Sequence, residues 1–353
     1  MKSIFGTGAN ICKEKEKNKN SVLSGMTLGT IIGFIVFGFI AVKIESFISF
    51  MNMDVNTYKE FALYSVIQLY IQLIFSFILE KLYFEDKNKL ANKHCIIFNL
   101  LNFVALIIFS LIFSNKITII ILTLLVILLY VLFLSIKTYK KFKLEFNIIK
   151  YIKYDSVEVF NNIAFFIIFL FGLSNALEYG EKYAIALNFI ALITDTQWDA
   201  FEAISTVAKI DISKNKFNYK THINNAYKLS IILLGTVFIM FVTLYKLYEL
   251  NFVITMIYLS FELVNFAIYP IYRIKTCYLQ LEYSAVKTTS NKIVADVIRM
   301  ILSLIKSPYC TGIGQVISSI YQFFSVNIIF NKNFTVNKDG VIIQNSIKSV
   351  ENT

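Results

Sequence analysis

Apolar residues in this chain come in blocks of about twenty, separated by short segments rich in lysine and asparagine. A helix of that length crosses the roughly 30 Å hydrocarbon core of a bilayer at 1.5 Å rise per residue. The blocks lack the period-2 alternation of a membrane β-barrel. Two prolines and twelve glycines in 353 residues interrupt little, so helices are the way this backbone is satisfied in lipid. The pattern predicts ten spans: 22–42, 57–79, 95–114, 117–136, 157–174, 183–208, 227–245, 252–272, 288–305 and 311–330. The third with the fourth, and the ninth with the tenth, form hairpins with very short turns. Spans 183–208 and 288–305 are the least apolar.

Composition supports this reading. The chain is 57% hydrophobic and 16% charged, against roughly 45–50% and about 25% for a soluble domain. The formal net charge of +11 sits in the connecting segments, where lysine acts as a topology signal, so no nucleic-acid partner is expected. With the N-terminus inside, 27 of the 34 Lys and Arg fall in cytoplasmic segments and six outside, while Arg299 lies within a span. That asymmetry supports 183–208 as a span, because removing it would invert every later loop. The expected class is an all-α polytopic membrane protein of about ten helices in two bundles, four plus six, with both termini cytoplasmic. The bilayer is its first partner and the plasma membrane its expected location. The opening apolar stretch, 4–12, is too short for a cleaved leader and is followed rather than preceded by lysines.

The longest internal loop, KTYKKFKLEFNIIKYIKYD, is basic and amphipathic. It divides the chain into a partial N-terminal bundle (1–136), a cytoplasmic linker (137–156), a C-terminal bundle (157–332) and a cytoplasmic tail (333–353). GTGANICKEKEKNKN before the first span echoes ISTVAKIDISKNKFN before the seventh. Each is a small-residue helix end followed by a lysine-rich loop, and transporters are often built from such repeats. On this echo, residues 1–12 are the tail of a helix.

Several stretches resemble the multidrug and toxic compound extrusion (MATE) family, whose members have two six-helix bundles joined by a long cytoplasmic linker. FGTGANICKEKEKNKN resembles the end of the family's second helix, and TYKEFALYSVIQLYIQLIF its fourth. GEKYAIALNFIALITDTQWDAFEAISTVAKI resembles its eighth, and VADVIRMILSLI and TGIGQVISSIYQFF its last two. Against that pattern the first helix and most of the second are absent, including an acidic cation-binding residue of one branch. The resemblance implies export of organic, often cationic, compounds in exchange for Na⁺ or H⁺.

Candidate binding residues gather in two spans. Asn188, Asp195, Asp199, Glu202 and Thr206 follow spacings of 7, 4, 3 and 4, one face of a helix. An acid at mid-membrane costs about 2.5–3.5 kcal/mol on insertion scales, so such a face belongs in a bundle interior or a wet cavity. It then forms a cation- or drug-binding stripe. Otherwise the span is partly interfacial and its acids meet headgroups or Lys209. Glu262 sits mid-span between Ser260 and Asn265 and is a cation ligand or a structural partner of Arg299. The resemblance favours the former, since the family's tenth helix often carries acidic cation ligands. Glu158 reads as an end cap or lysine partner, since Ala164 and Phe165 occupy the deeper positions where the family's sodium-coupled branch has a glutamate. Asp296 and Arg299, three apart, are expected to form a structural ion pair. Trp198, placed about 100° from both Asp195 and Asp199, is expected to pack on a neighbouring helix.

Other chemistry is poorly provided for. Cys12, Cys95, Cys277 and Cys310 are far apart, and His94 and His222 are the two histidines, so neither a metal site nor a disulfide framework is expected. No cofactor is implied beyond the coupling ion. No nucleophile–base pair or phosphate loop suggests an enzyme. Two alternatives stand beside a cation exporter. A flippase for lipid-linked sugars would favour basic residues in its cavity, where Arg299 is the exception among acids. A non-transporting protein, or one that needs an oligomer or partner chain, would follow from the absent helices.

Overall fold

Helix follows wherever the apolar blocks run uninterrupted. The computed structural model describes residues 2–18, 20–50, 54–138 and 148–345. A π-helical segment, Lys2–Gly8, leads into α1 (Ala9–Glu16), α2 (Ser21–Val42), α3 (Ile44–Phe50), α4 (Val55–Phe84), α5 (Asn88–Ile112) and α6 (Lys116–Thr138). Then come α7 (Ile148–Glu178), α8 (Glu181–Ser213), α9 (Tyr219–Leu244), α10 (Phe252–Glu282), α11 (Ala285–Ser303) and α12 (Cys310–Asn333). Two short antiparallel strands follow, β1 (Phe334–Val336) and β2 (Ile342–Gln344).

Each predicted span coincides with one of α2 and α4–α12, and three of them (95–114, 227–245 and 288–305) run one or two residues past the helix end. Seven of these (α2, most of α4, α5, α6, α9, α10 and α12) are long and apolar enough to cross a bilayer. α8 and α11 carry more charge along their length.

The helices overrun their apolar cores because a helix ends at its caps, not where hydrophobicity stops. Asn218, Asn251 and Ser284 each accept a backbone N–H from the first turn of α9, α10 and α11, a contact typically worth about 1 kcal/mol. At its other end α10 continues to Glu282, where Tyr283 N–H closes the last turn on Leu279 O, and it carries Arg273 and Lys275, which sequence placed in a loop, into buried positions. Lys209, likewise assigned to a loop, lies inside α8 and is buried.

The chain divides into two compact units, Met1–Asp155 and Ser156–Thr353. The division falls inside α7 at Asp155, whose φ of −136° breaks the helix. Of the expected linker, residues 139–147 lie outside the described residues.

In the first unit the π-helical segment and α1 press against α2. A Cβ on Gly25 would lie 2.4 Å from Ala9 Cβ and 2.8 Å from Phe5 O, so this approach requires glycine. Phe5, Met26, Phe77, Ile78 and Leu124 fill the core around it. Lys150 donates to Glu16 at 2.6 Å and Tyr151 to the Ser21 carbonyl at 3.1 Å, tying the start of α7 to this unit. The Lys150 hydrogen bond holds the Glu16 carboxyl below the usual carboxylate range.

In the second unit α8, α10 and α12 enclose an aromatic core of Phe201, Phe266, Tyr269, Tyr272 and Phe330. The expected tail is in part structured. The β1–β2 hairpin docks on the start of α9, where Tyr219 N–H donates to Gly340 O at 2.9 Å and Asn218 to Asp339 O at 2.7 Å. Gly340 takes φ +81° at that turn. Residues 346–353 of the tail lie outside the described residues.

Large apolar side chains are also exposed along the outer helix faces, such as Leu111 at 82% and Ile231 at 70%. Left in water, such faces would forgo about 25 cal/mol for each Å² of apolar surface. A hydrocarbon surround removes that cost.

Candidate functional site

A cavity of about 70 Å³ opens inside the second unit. Five helices contribute to its lining. α8 supplies Leu187, Ile190, Ala191, Thr194, Asp195 and Trp198, at steps of 3, 4, 7, 8 and 11 along one helical face. α10 contributes Tyr258, Phe261 and Glu262, α12 contributes Thr311, Gly312 and Gln315, and α11 contributes Arg299. Ile168 and Phe169 of α7 complete the wall.

Glu262 is the hub of its polar contacts. Trp198 Nε1 donates to Glu262 Oε2 at 3.1 Å, and Gln315 Nε2 donates to its two oxygens at 3.2 and 3.3 Å. Arg299 Nη2 donates to Gln315 Oε1 at 3.0 Å. The guanidinium thus reaches the carboxylate through one amide. Trp198 is held in turn by Phe266 and Tyr269 of α10, at ring separations of 5.3 and 5.0 Å. Tyr258 donates to Pro308 O at 2.6 Å, and Tyr309 packs on it at 5.2 Å, closing one end with aromatic surface.

The sequence-predicted residues divide. Asp195 and Glu262 meet at this cavity. Asn188 is exposed on α8 outside the lining, and Glu202 is half-buried farther along the helix. The side chain of Asp199 lies outside those described. The Asp296–Arg299 pair is drawn differently: Asp296 meets Lys292, and Arg299 turns to Gln315. Lys292 is four residues from Asp296, the other spacing that brings helical side chains together. Glu158 joins Lys209, at 3.1 Å, and Arg273 in a buried cluster away from the cavity lining.

Trp198 corrects the rotation expected for it. Three residues from Asp195 leave only about 60° between them at 3.6 residues per turn, so both reach one cavity. The 100° expectation holds for Asp199 alone. Gln315 was missed. Its signal was present, as a lone amide in GIGQVISS of an apolar span, and a polar group at membrane depth is seldom idle.

Arrangement and size together limit the chemistry. The described lining contains carboxylates, one guanidinium, hydroxyls and aromatic faces, and lacks a cysteine or histidine. Drug-sized ligands need about 300–1,000 Å³. The observed space suits a small cation or a few waters, each needing about 10–15 Å³.

No protein-family model matches the sequence, and no curated protein does. Solved structures do match. One, an outward-facing multidrug resistance MATE family transporter of the MOP superfamily, aligns with a TM-score of 0.72 at 15% identity, covering 93% of this chain and 82% of its own. A MATE structure in the bent conformation aligns at 0.70 and 14% identity, covering 94% and 84%. A MOP superfamily transporter from Pyrococcus furiosus, whose binding pocket is described as of reverse polarity suggesting a different function, aligns at 0.69 and 14%, covering 93% and 84%. At these identities the likeness establishes the fold: this chain is a multi-span helical membrane protein folded as MATE transporters of the MOP superfamily are.

Proposed function

We propose that the chain is a MATE-like secondary transporter that exports organic, cationic compounds across the plasma membrane by antiport with Na⁺ or H⁺. Ten membrane spans and cytoplasmic termini belong to the same reading. One observation carries it. Helical packing brings Asp195 and Glu262, distant in sequence, to a single cavity walled by Trp198, Tyr258 and Phe261. Carboxylates attract a cation, and aromatic faces add about 0.5–2 kcal/mol for an organic one. The space in this conformation suits the coupling cation with its waters. Substrate would enter when the walls part, as alternating access requires.

A second reading, a flippase-like protein for lipid-linked sugars, draws on a different feature. Arg273, which sequence assigned to a loop, and Lys292 line a separate small cavity between α10 and α11, and basic groups suit phosphate. Their pairing with Glu158 and Asp296 offsets that charge and ranks this reading second.

The test is efflux of a fluorescent lipophilic cation from proteoliposomes under an imposed Na⁺ or H⁺ gradient. Wild type should respond to one gradient, and the Asp195→Asn, Glu262→Gln double variant should lose most of that efflux. Transport by the double variant at the wild-type rate would remove this assignment. Folded wild type that transports no cation would favour the flippase or a protein dependent on a partner chain.

A further inference from the structure

We infer that Arg299 is a resident competitor at the cation site: acting through Gln315, it holds back small cations at Glu262 and so favours an organic cation over a bare ion. The inference rests on reading Glu262 as a cation-receiving carboxylate.

The orientation of one amide carries the argument. Gln315 Oε1 accepts from Arg299, which leaves Nε2 as the end that faces Glu262. Turning the amide over would set its oxygen against a carboxylate and its N–H groups against a guanidinium, both repulsive. Arg299 therefore fixes which end of Gln315 Glu262 meets. Trp198 supplies a second N–H to the same carboxylate. A cation arriving at Glu262 must displace these donors or share the oxygens with them, and it does so beside a fixed positive charge.

That barrier falls unequally on different cations. A compact ion such as Na⁺ brings only its charge, and it surrenders hydration to enter. An organic cation also covers Phe261 and Tyr258, gaining aromatic contact that Arg299 does not oppose. Arg299 thus acts as a specificity-determining residue that works through a positioning residue, Gln315.

Trp198 is the only tryptophan in the chain and touches Glu262, so its emission reports that carboxylate without need of transport. The experiment titrates Na⁺, and separately tetraphenylphosphonium, into the purified full-length chain in detergent at fixed pH, with Glu262→Gln as the baseline for ionic strength. Arg299→Gln and Gln315→Leu should each lower the Na⁺ half-saturation by roughly tenfold, within the range of ordinary coupling between neighbouring sites. The tetraphenylphosphonium value should move less, and Arg299→Lys should restore weak Na⁺ binding. A merely structural role would weaken both ligands together rather than tighten one. If Arg299→Gln does not fold, Gln315→Leu carries the test. Half-saturation for Na⁺ unchanged or raised in the folded variants, or no Na⁺ response in them, overturns the inference. A Na⁺ response that tightens as stated in a protein that transports nothing keeps the inference and overturns the transport reading.

Discussion

Glu158 serves two cations at once, Lys209 of α8 and Arg273 of α10, with all three side chains less than 10% exposed. Moving charges out of water costs several kcal/mol each, and only close pairing repays it. Loss of the shared acid should therefore be severe. Glu158→Gln is expected to cost about 3–5 kcal/mol, the usual penalty for stranding a buried partner, and thermal unfolding in detergent will show it as a lowered midpoint. Adding Arg273→Gln to that variant should recover part of the loss, because the stranded charge goes with it. A single variant as stable as wild type would mean that the cluster contributes nothing.

At the scale of elements, the cavity owes its shape to how closely α7 and α12 approach. Asn175 of α7 donates to Ser303 O at 2.9 Å and to Cys310 Sγ at 3.2 Å, pinning the end of α7 beside the α11–α12 turn. One turn earlier, a Cβ on Gly172 would lie 2.1 Å from Thr311 Cγ2. Two effects compete in Gly172→Ala. Alanine improves helix propensity by about 1 kcal/mol. Overpacking costs typically 1–3 kcal/mol, and Thr311 is buried and stiff at χ1, so it yields little. Overpacking should win, lowering the unfolding midpoint. Thr311→Ala in the same chain removes the opposing methyl and should return stability toward wild type. A Gly172→Ala variant at or above wild-type stability would show that the two helices do not meet this closely.

For the whole molecule, the distribution of lysine sets a topology that labelling can read. Cys12, Cys277 and Cys310 are buried and Cys95 is half-buried, so replacing Cys95 gives a nearly silent background. In that background Lys116→Cys and Lys246→Cys, both exposed, should react with an impermeant maleimide on intact cells. Lys93→Cys and Lys338→Cys, also exposed, should react only after permeabilisation. Equal labelling of all four from outside would reject the ten-span arrangement. Reaction at Lys246 from inside would single out α7 or α8 as the helix that does not cross.

The sequence alone placed the ten long helices, though not the short α3. Blocks of about twenty apolar residues, with Pro270 the one proline inside them, have one satisfactory backbone arrangement in lipid, and each of the ten segments is helical over nearly its whole length. The face of α8 that carries Asp195 was legible in the same way, because helical period is a local property, although Asn188 and Glu202 of the expected stripe lie outside the cavity lining; Glu262 was legible because an acid at membrane depth is costly wherever the helix turns. Four things awaited the tertiary structure. The extent of α10 depended on caps and on burial partners, so Arg273 and Lys275 read as loop cations until α10 was seen to carry them inward. Lys292 and Arg299 both lie within reach of Asp296 along α11, and only the neighbouring α12, with Gln315, decides between them. The hairpin after α12 forms against α9, more than a hundred residues away in sequence. The meeting of Asp195 with Glu262 likewise joins helices that sequence separates by 67 positions. Periodicity and the transfer cost of a single residue are local and are written in the chain, whereas the choice of partner for a buried charge depends on which helices pack together, and that is decided only when they do.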